Sequence, residues 1–198
     1  MRRLVLASGN AGKLREFGEL LAGSGIACVP QAELGVHDIE ETGLSFVENA
    51  LIKARHAARQ TGLPALADDS GLCVDALEGA PGLLSARYAS VHGNADANID
   101  KLLAALESVP DDRRGAHFHA SIVLLRHAED PQPIIAEGRW RGSILHSRHG
   151  QGGFGYDPVF QVPGYDCSAA QLEPAVKNSI SHRGQALAIL GQRLSEAV

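Results

Sequence analysis

The sequence predicts an α/β protein built on a mixed sheet, and three observations carry that prediction. Short apolar runs at residues 4–7 and 26–29 flank a stretch of helical periodicity at residues 13–22, a strand–helix–strand pattern. Later, Ala116, Phe118, Ala120, Ile122 and Leu124 alternate with polar residues over a long stretch, as a half-buried strand does. Asp130-Pro131 then marks a turn, and residues 134–140 return as an antiparallel partner. A crossover unit in one half and a hairpin in the other require a sheet that is not purely parallel.

The elements follow in order. In the first helix Leu14, Phe17, Leu20 and Leu21 share a face, and Gly23 and Gly25 end it. Ser45-Phe46-Val47-Glu48 is a capping box, so a second helix starts there. Its apolar stripe is Val47, Ala50, Leu51, Ala54 and Ala58, while Asn49, Lys53, His56 and Gln60 recur on another face. Residues 64–67 read as a strand running into Asp68-Asp69-Ser70-Gly71, where the two aspartates either point to opposite faces at the strand end or cap a turn, with another strand at 72–77. Residues 95–106 form a helix on Ile99, Leu102, Leu103 and Leu106. Residues 150–155 are a glycine-rich loop, and residues 177–187 open a last helix striped by Ala186, Ile189, Leu190, Arg193 and Leu194. The chain of 198 residues is read as one domain, with 44% hydrophobic residues to fill its core.

Composition narrows the function. A net charge of −5 argues against a general nucleic-acid coat or an anionic-membrane binder. Cys28, Cys73 and Cys167 include no CxxC pair and are odd in number, which predicts reduced, mostly buried thiols in a cytoplasmic protein. The stretch MRRLVLASGN is too short in apolar residues for a signal-peptide core, and no run approaches a membrane span.

The loop Ser8-Gly9-Asn10-Ala11-Gly12-Lys13 joins the first strand to the first helix. It is not a Walker loop, because Ala7 stands where the first glycine belongs and Leu14 follows the lysine. A helix N-terminus with close-approach glycines and a lysine still favours an anion. The same residues read equally as an ordinary turn, with Asn10 as cap and Lys13 in solvent. Glu40-Glu41 and Asp68-Asp69 offer carboxylates from separate segments, the set Mg²⁺ prefers alongside phosphate oxygens, or they serve as loop and turn residues. Lys53 reads as a solvated face of its helix. In an aromatic-poor chain, Phe154 and Tyr156 beside Gly155 and Asp157 form either a stacking platform for a flat base or a loop pinned to the core. Lys177, His182 and Arg183 place donors at a helix start, where an anion or a base carbonyl would balance them. His117 and His119 could share a strand face, which alone is weak evidence for zinc.

Taken in register, SGNAGK (8–13), EETGLSFVENALIKA (40–54), ADDSGL (67–72), PGLLSARY (81–88), GGFGYDPVF (152–160) and SHRGQAL (181–187) closely resemble the inosine triphosphate pyrophosphatase family. The resemblance spans essentially the whole chain. Ser8 stands where relatives often have threonine, which keeps the hydroxyl. The resemblance implies a two-lobed α/β fold with a central cleft around a long mixed sheet. It implies hydrolysis of non-standard purine nucleoside triphosphates (ITP, dITP, XTP) to monophosphate and pyrophosphate, with Mg²⁺, by a homodimer. By position, Ser8 to Lys13 would hold the triphosphate. Glu41 and Asp69 would serve the metal, Asp69 also standing at the family's proposed proton acceptor. Ser70 would touch substrate, and Phe154, Gly155, Tyr156, Asp157, Lys177, His182 and Arg183 would complete the nucleotide site. Lys13 and Lys53 would add charge stabilisation, and Asp68 would be a metal ligand or a support. His182 or Arg183 would donate to the purine 6-carbonyl. The rivals are a nucleotide binder without hydrolysis and a pyrophosphatase for modified pyrimidine or methylated purine nucleotides.

Overall fold

The structure, a computed structural model, describes residues 2–22, 25–91 and 93–196. The strands are β1 (Arg2–Ala7), β2 (Ile26–Pro30), β3 (Ala65–Val74), β4 (Gly115–Leu125), β5 (Ile134–Ile144), β6 (Phe160–Val162) and β7 (Cys167–Ser168). The helices are α1 (Ala11–Leu20), α2 (Phe46–Thr61), α3 (Ala95–Ala105), α4 (Pro174–Ile180) and α5 (His182–Glu196). The strands form one seven-stranded sheet in the order β2-β1-β3-β4-β5-β6-β7. β1 pairs in parallel with β2 and β3, whereas β6 pairs antiparallel with β5 and β7, so the sheet is mixed as the sequence predicts. No helix among the described residues is long and apolar enough to cross a membrane.

Two compact units divide the chain. The first holds residues up to Asp69, Ala120–Gly138 and residues from Arg183 onward. Strand alternation gives its sheet two apolar faces. Leu4, Leu6, Leu66, Ile122 and Leu124 pack with Phe17 of α1 and with Ala186, Leu187 and Leu190 of α5. Val5, Ala7, Ala65, Ala67, Val123 and Leu125 pack with Ala50, Ala54, Ala57 and Ala58 of α2. Four small side chains let α2 lie close to the strands. The second unit holds Ser70–His119 and Arg139–His182. Its core joins Leu72 and Val74 to Ile99 and Leu102 of α3, to Leu106 that caps α3, and to Phe118, Trp140, Tyr156 and Phe160.

Three departures from expectation bear on the site. Asn10 caps α1 by accepting the Lys13 N–H, so the helix begins at Ala11 rather than 13. Its end is capped at Leu21; Gly23 and the side chain of Leu20 lie outside the described residues. Second, Asp68-Asp69-Ser70-Gly71 is no turn: β3 runs through it, and a 3-10 turn replaces the strand expected at 75–77. Cations flank both aspartates, so buried carboxylates are tolerated inside a strand. Third, the expected last helix is two helices. Ser181 adopts an extended conformation (φ −67°, ψ 161°) between α4 and α5. Lys177 therefore sits in the last turn of α4, where a cation is favoured, while His182 and Arg183 open α5. The three cysteines are unpaired thiols and only partly buried.

Candidate functional site

The site grows from the alternation of β3. Leu66 faces α1 and α5, Ala67 faces α2, and the next two residues continue the pattern. Asp68 therefore meets α1 and α5, and Asp69 meets α2.

Asp68 is 1% exposed. Lys13 Nζ, from the first turn of α1, lies 2.5 Å from its Oδ1 and donates to its backbone carbonyl at 3.4 Å. Arg183, from the first turn of α5, donates Nε to Asp68 Oδ2 at 3.2 Å and Nη1 to Glu16 Oε2 at 2.5 Å. Burial alone would raise the Asp68 carboxyl, but the Lys13 and Arg183 cations outweigh it and hold the group well below the usual carboxylate range. Burial pushes the Lys13 ammonium down, and Asp68 only partly offsets this. Lys13 is thus neither solvated nor loose. The basic start of α5, expected to await an external anion, is already faced by Asp68 and Glu16.

Asp69 has different company. Lys53 Nζ donates to its Oδ1 at 3.1 Å and to Glu41 Oε1 at 2.6 Å. Asn49, one helical turn before Lys53, donates to Asp69 Oδ2 at 3.2 Å. Burial raises the Asp69 carboxyl; Lys53 and Lys13 oppose the rise, Glu41 and Asp68 add to it, and the group ends above its ordinary value. Lys53 is held above its ordinary value because Asp69, Asp68 and Glu41 together outweigh its burial. Glu40, next to Glu41, is exposed.

The rest of the opening loop is tightly built. Ser8 is buried and its Oγ accepts the Asn10 N–H at 3.2 Å. A Cβ on Gly9 would stand 2.5 Å from an Asp38 carboxylate oxygen, so here the close approach is to a carboxylate of the chain itself. Ala11 and Gly12 supply the first turn of α1. Ser70 follows Asp69 within β3.

The second unit holds a separate polar group. Lys177 Nζ donates to Asp157 Oδ2 at 2.8 Å, and the Phe154 N–H donates to the same oxygen at 2.7 Å. Asp157 thus pins its own glycine-rich loop. Gly153 and Gly155 take left-handed φ values of 70° and 62°, and Lys177 Nζ stands 5.2 Å from the centroid of the half-buried Phe154 ring. Tyr156 differs from Phe154: its ring is buried in the core and its hydroxyl donates to the Ser85 carbonyl at 2.9 Å. His182 is buried with its ring stacked on Phe118, centroids 4.9 Å apart and planes 13° from parallel.

A lysine-bearing helix start, an acidic loop on a capped helix and a carboxylate strand thus occupy the segments of the SGNAGK, EETGLSFVENALIKA and ADDSGL motifs, in that order. Over residues 4–193 the chain matches the profile of the Ham1 family. The chain belongs to the Ham1 family. It is 63% identical over 194 residues to the dITP/XTP pyrophosphatase of Xanthomonas axonopodis pv. citri (strain 306), covering 98% of each chain. It is 55% identical over 197 residues to the dITP/XTP pyrophosphatase of Yersinia pestis, covering the whole of both. Among solved structures it resembles a HAM1 protein from Coxiella burnetii (TM-score 0.91, 54% identity, 99% of this chain and 100% of that one). The Staphylococcus aureus Ham1 protein aligns at TM-score 0.87 and 37% identity over the full length of both chains.

Within this Ham1 chain, Glu16 escapes a reading of the sequence altogether, while Asp68 and Asn49 are legible as candidates but their partners are not. Glu16 sits on a helix face with no motif. Asp68 has its cations 55 and 115 residues away. Asn49 left one signal: it shares a helical face with Lys53. Among the described residues no cluster of three His, Cys, Asp or Glu side chains is set to hold a metal. Glu41 and Asp69 are nonetheless drawn onto one ammonium, that of Lys53. Two hard oxygen donors already gathered about a cation fit the donor chemistry of a small divalent ion, whose other ligands would be phosphate and water.

Proposed function

We propose that this Ham1 protein hydrolyses non-standard purine nucleoside triphosphates (dITP, ITP and XTP) to the monophosphate and pyrophosphate. The observation that carries the proposal is the paired arrangement on β3, with Lys13 and Arg183 fixed on Asp68 and a basic carboxylate, Asp69, one residue away. A passive anion binder gains nothing from Asp69 and Glu41; a water-activating site needs them. The names of the Xanthomonas and Yersinia relatives favour the same reaction.

In this reading Ser8, Gly9, Asn10, Ala11, Gly12 and Lys13 receive the triphosphate. Lys13 and the first N–H groups of α1 neutralise charge that builds on the departing pyrophosphate. Asp69 takes a proton from a water whose oxygen bonds to the α-phosphorus as the bond to the bridging oxygen breaks. Lys53 steadies both carboxylates. Glu41 would hold Mg²⁺, with Asp69 as its second ligand in a role that competes with proton acceptance; the ion when bound supplies charge neutralisation at the phosphates. Asp68 keeps Lys13 and Arg183 aimed. Ser70 touches substrate, Phe154 offers its ring to the purine, and Gly155, Tyr156, Asp157 and Lys177 shape and anchor that loop. His182, with Arg183 beside it, donates to the 6-carbonyl of hypoxanthine or xanthine. The amino group of adenine would leave such donors unpaired, at about 1–3 kcal/mol. A homodimer working in the cytoplasm accords with the family resemblance, and light scattering of the purified protein would test the dimer.

The test is pyrophosphate release from a panel of nucleotides, with and without Mg²⁺. Release from dITP, ITP and XTP well ahead of dATP and dGTP, and only with Mg²⁺, is expected. No release from any nucleotide would leave a binder, and preference for modified pyrimidines or methylated purines would assign another pyrophosphatase.

A further inference from the structure

Asn49 lies in the first turn of α2 with 2% of its surface exposed, so its amide must find partners within the protein. Its Oδ1 accepts the Gly43 N–H at 2.8 Å, and its Nδ2 donates to Asp69 Oδ2 at 3.2 Å. A backbone N–H can only donate, so Gly43 fixes the carbonyl end of the amide and turns the NH₂ end toward Asp69. Lys53 donates to the other oxygen of the same carboxylate. Each oxygen of Asp69 thus has its own donor, and together the two donors fix the plane of the group.

The same amide reaches the acidic loop. Gly43 follows Glu41 by two residues, and the loop is seated on the start of α2 by a second bond, Leu44 N–H to Glu48 Oε2 at 2.9 Å. A Cβ on Gly43 would stand 2.7 Å from Asn49 Oδ1 and 2.6 Å from Glu48 Cβ, so only glycine allows this approach. One amide therefore sets two distances, Asp69 to α2 and the Glu41 loop to α2.

We propose that Asn49 is a positioning residue for the hydrolysis: through one amide it aims the Asp69 carboxylate and registers the Glu41 loop to it. The proposal rests on the role given to Asp69 above. It adds a residue that touches neither phosphate nor base.

Two substitutions separate this role from a purely structural one. Asn49→Asp keeps an acceptor for the Gly43 N–H but sets a carboxylate oxygen against Asp69. Asn49→Ala removes both bonds. Asn49→Asp is expected to lower kcat for dITP by about 100-fold with KM changed no more than about threefold, the signature of a lost transition-state arrangement. Asn49→Ala is expected to lower kcat less. Melting temperatures give a second readout that needs no turnover. Asn49→Asp should melt lower than wild type, and combining it with Asp69→Asn, which restores a donor facing an acceptor, should recover most of the loss. Activity retained in Asn49→Asp but lost in Asn49→Ala would reduce Asn49 to a loop anchor and overturn the proposal. Additive melting temperatures would overturn it as well. Failure of the functional reading shows separately, as a wild-type protein inert toward every nucleotide. In that case the role in hydrolysis falls with the functional reading, and the melting temperatures test only the Asn49–Asp69 contact.

Discussion

Asp68 and Asp69 are neighbours in β3, yet Asp68 meets two cations from α1 and α5, while Asp69 meets an ammonium and an amide from α2. Both are buried carboxylates. Their environments push them in opposite directions, Asp68 below its ordinary value and Asp69 above it. A strand sends successive side chains to opposite faces, so two adjacent carboxylates can be given unlike tasks without approaching the same partners. One becomes a fixed anion that organises cations. The other keeps the basicity a proton acceptor needs.

The first way to sharpen this contrast is Asp68→Asn. It leaves Lys13 and Arg183 buried around a neutral amide and should cost roughly 3–5 kcal/mol of unfolding free energy, as breaking a buried pair does. Urea denaturation of the purified variant reads the loss. The sign with pH follows from the depressed carboxyl. The stabilisation by Asp68 is fully present above the ordinary carboxylate value of 3.8 and is lost as pH falls from there through the lower folded value. A variant as stable as wild type at neutral pH would break the comparison.

A somewhat smaller effect is expected from Lys13→Ala. Removal of one preorganised donor to developing charge costs about 2.7–4 kcal/mol in kcat, or roughly 10²–10³. Steady-state pyrophosphate release from dITP measures it. The smallest effect belongs to the other unit. Phe154→Ala should raise KM for dITP through the loss of about 1–3 kcal/mol of stacking, with kcat nearly unchanged. A fall in kcat alone would detach Phe154 from purine binding.

Much of the fold was legible in the sequence because its signals are local. The apolar runs at β1 and β2, the Ser45 cap of α2 and the alternation of β4 all lie within a few residues of themselves. Asn10 was legible as a helix cap for the same reason. The passage of β3 through Asp68-Asp69-Ser70-Gly71 was not, since four turn-forming residues in a row outweigh strand propensity until their counter-ions are known. For Asp68 those counter-ions are Lys13 and Arg183, far apart in the sequence, and for Asp69 the counter-ion is Lys53. Lys53 read as a solvated lysine because nothing in its own helix reveals that Glu41 and Asp69 converge on it. The division of labour between Phe154 and Tyr156 was equally hidden, because the Tyr156 hydroxyl finds its acceptor 71 residues away, at Ser85.

The measurement that bears most directly on the central claim is turnover of dITP by Asp69→Asn, taken with its melting curve. An amide at 69 keeps an acceptor for Lys53 but sets its NH₂ against the Asn49 NH₂, so the variant should fold with a melting temperature somewhat below wild type. The expected result is a folded protein with turnover reduced by about 10³ or more, in line with removal of a general base and its orienting role. A well-folded Asp69→Asn variant that hydrolyses dITP within about tenfold of the wild-type rate would contradict the assignment of the two faces of β3.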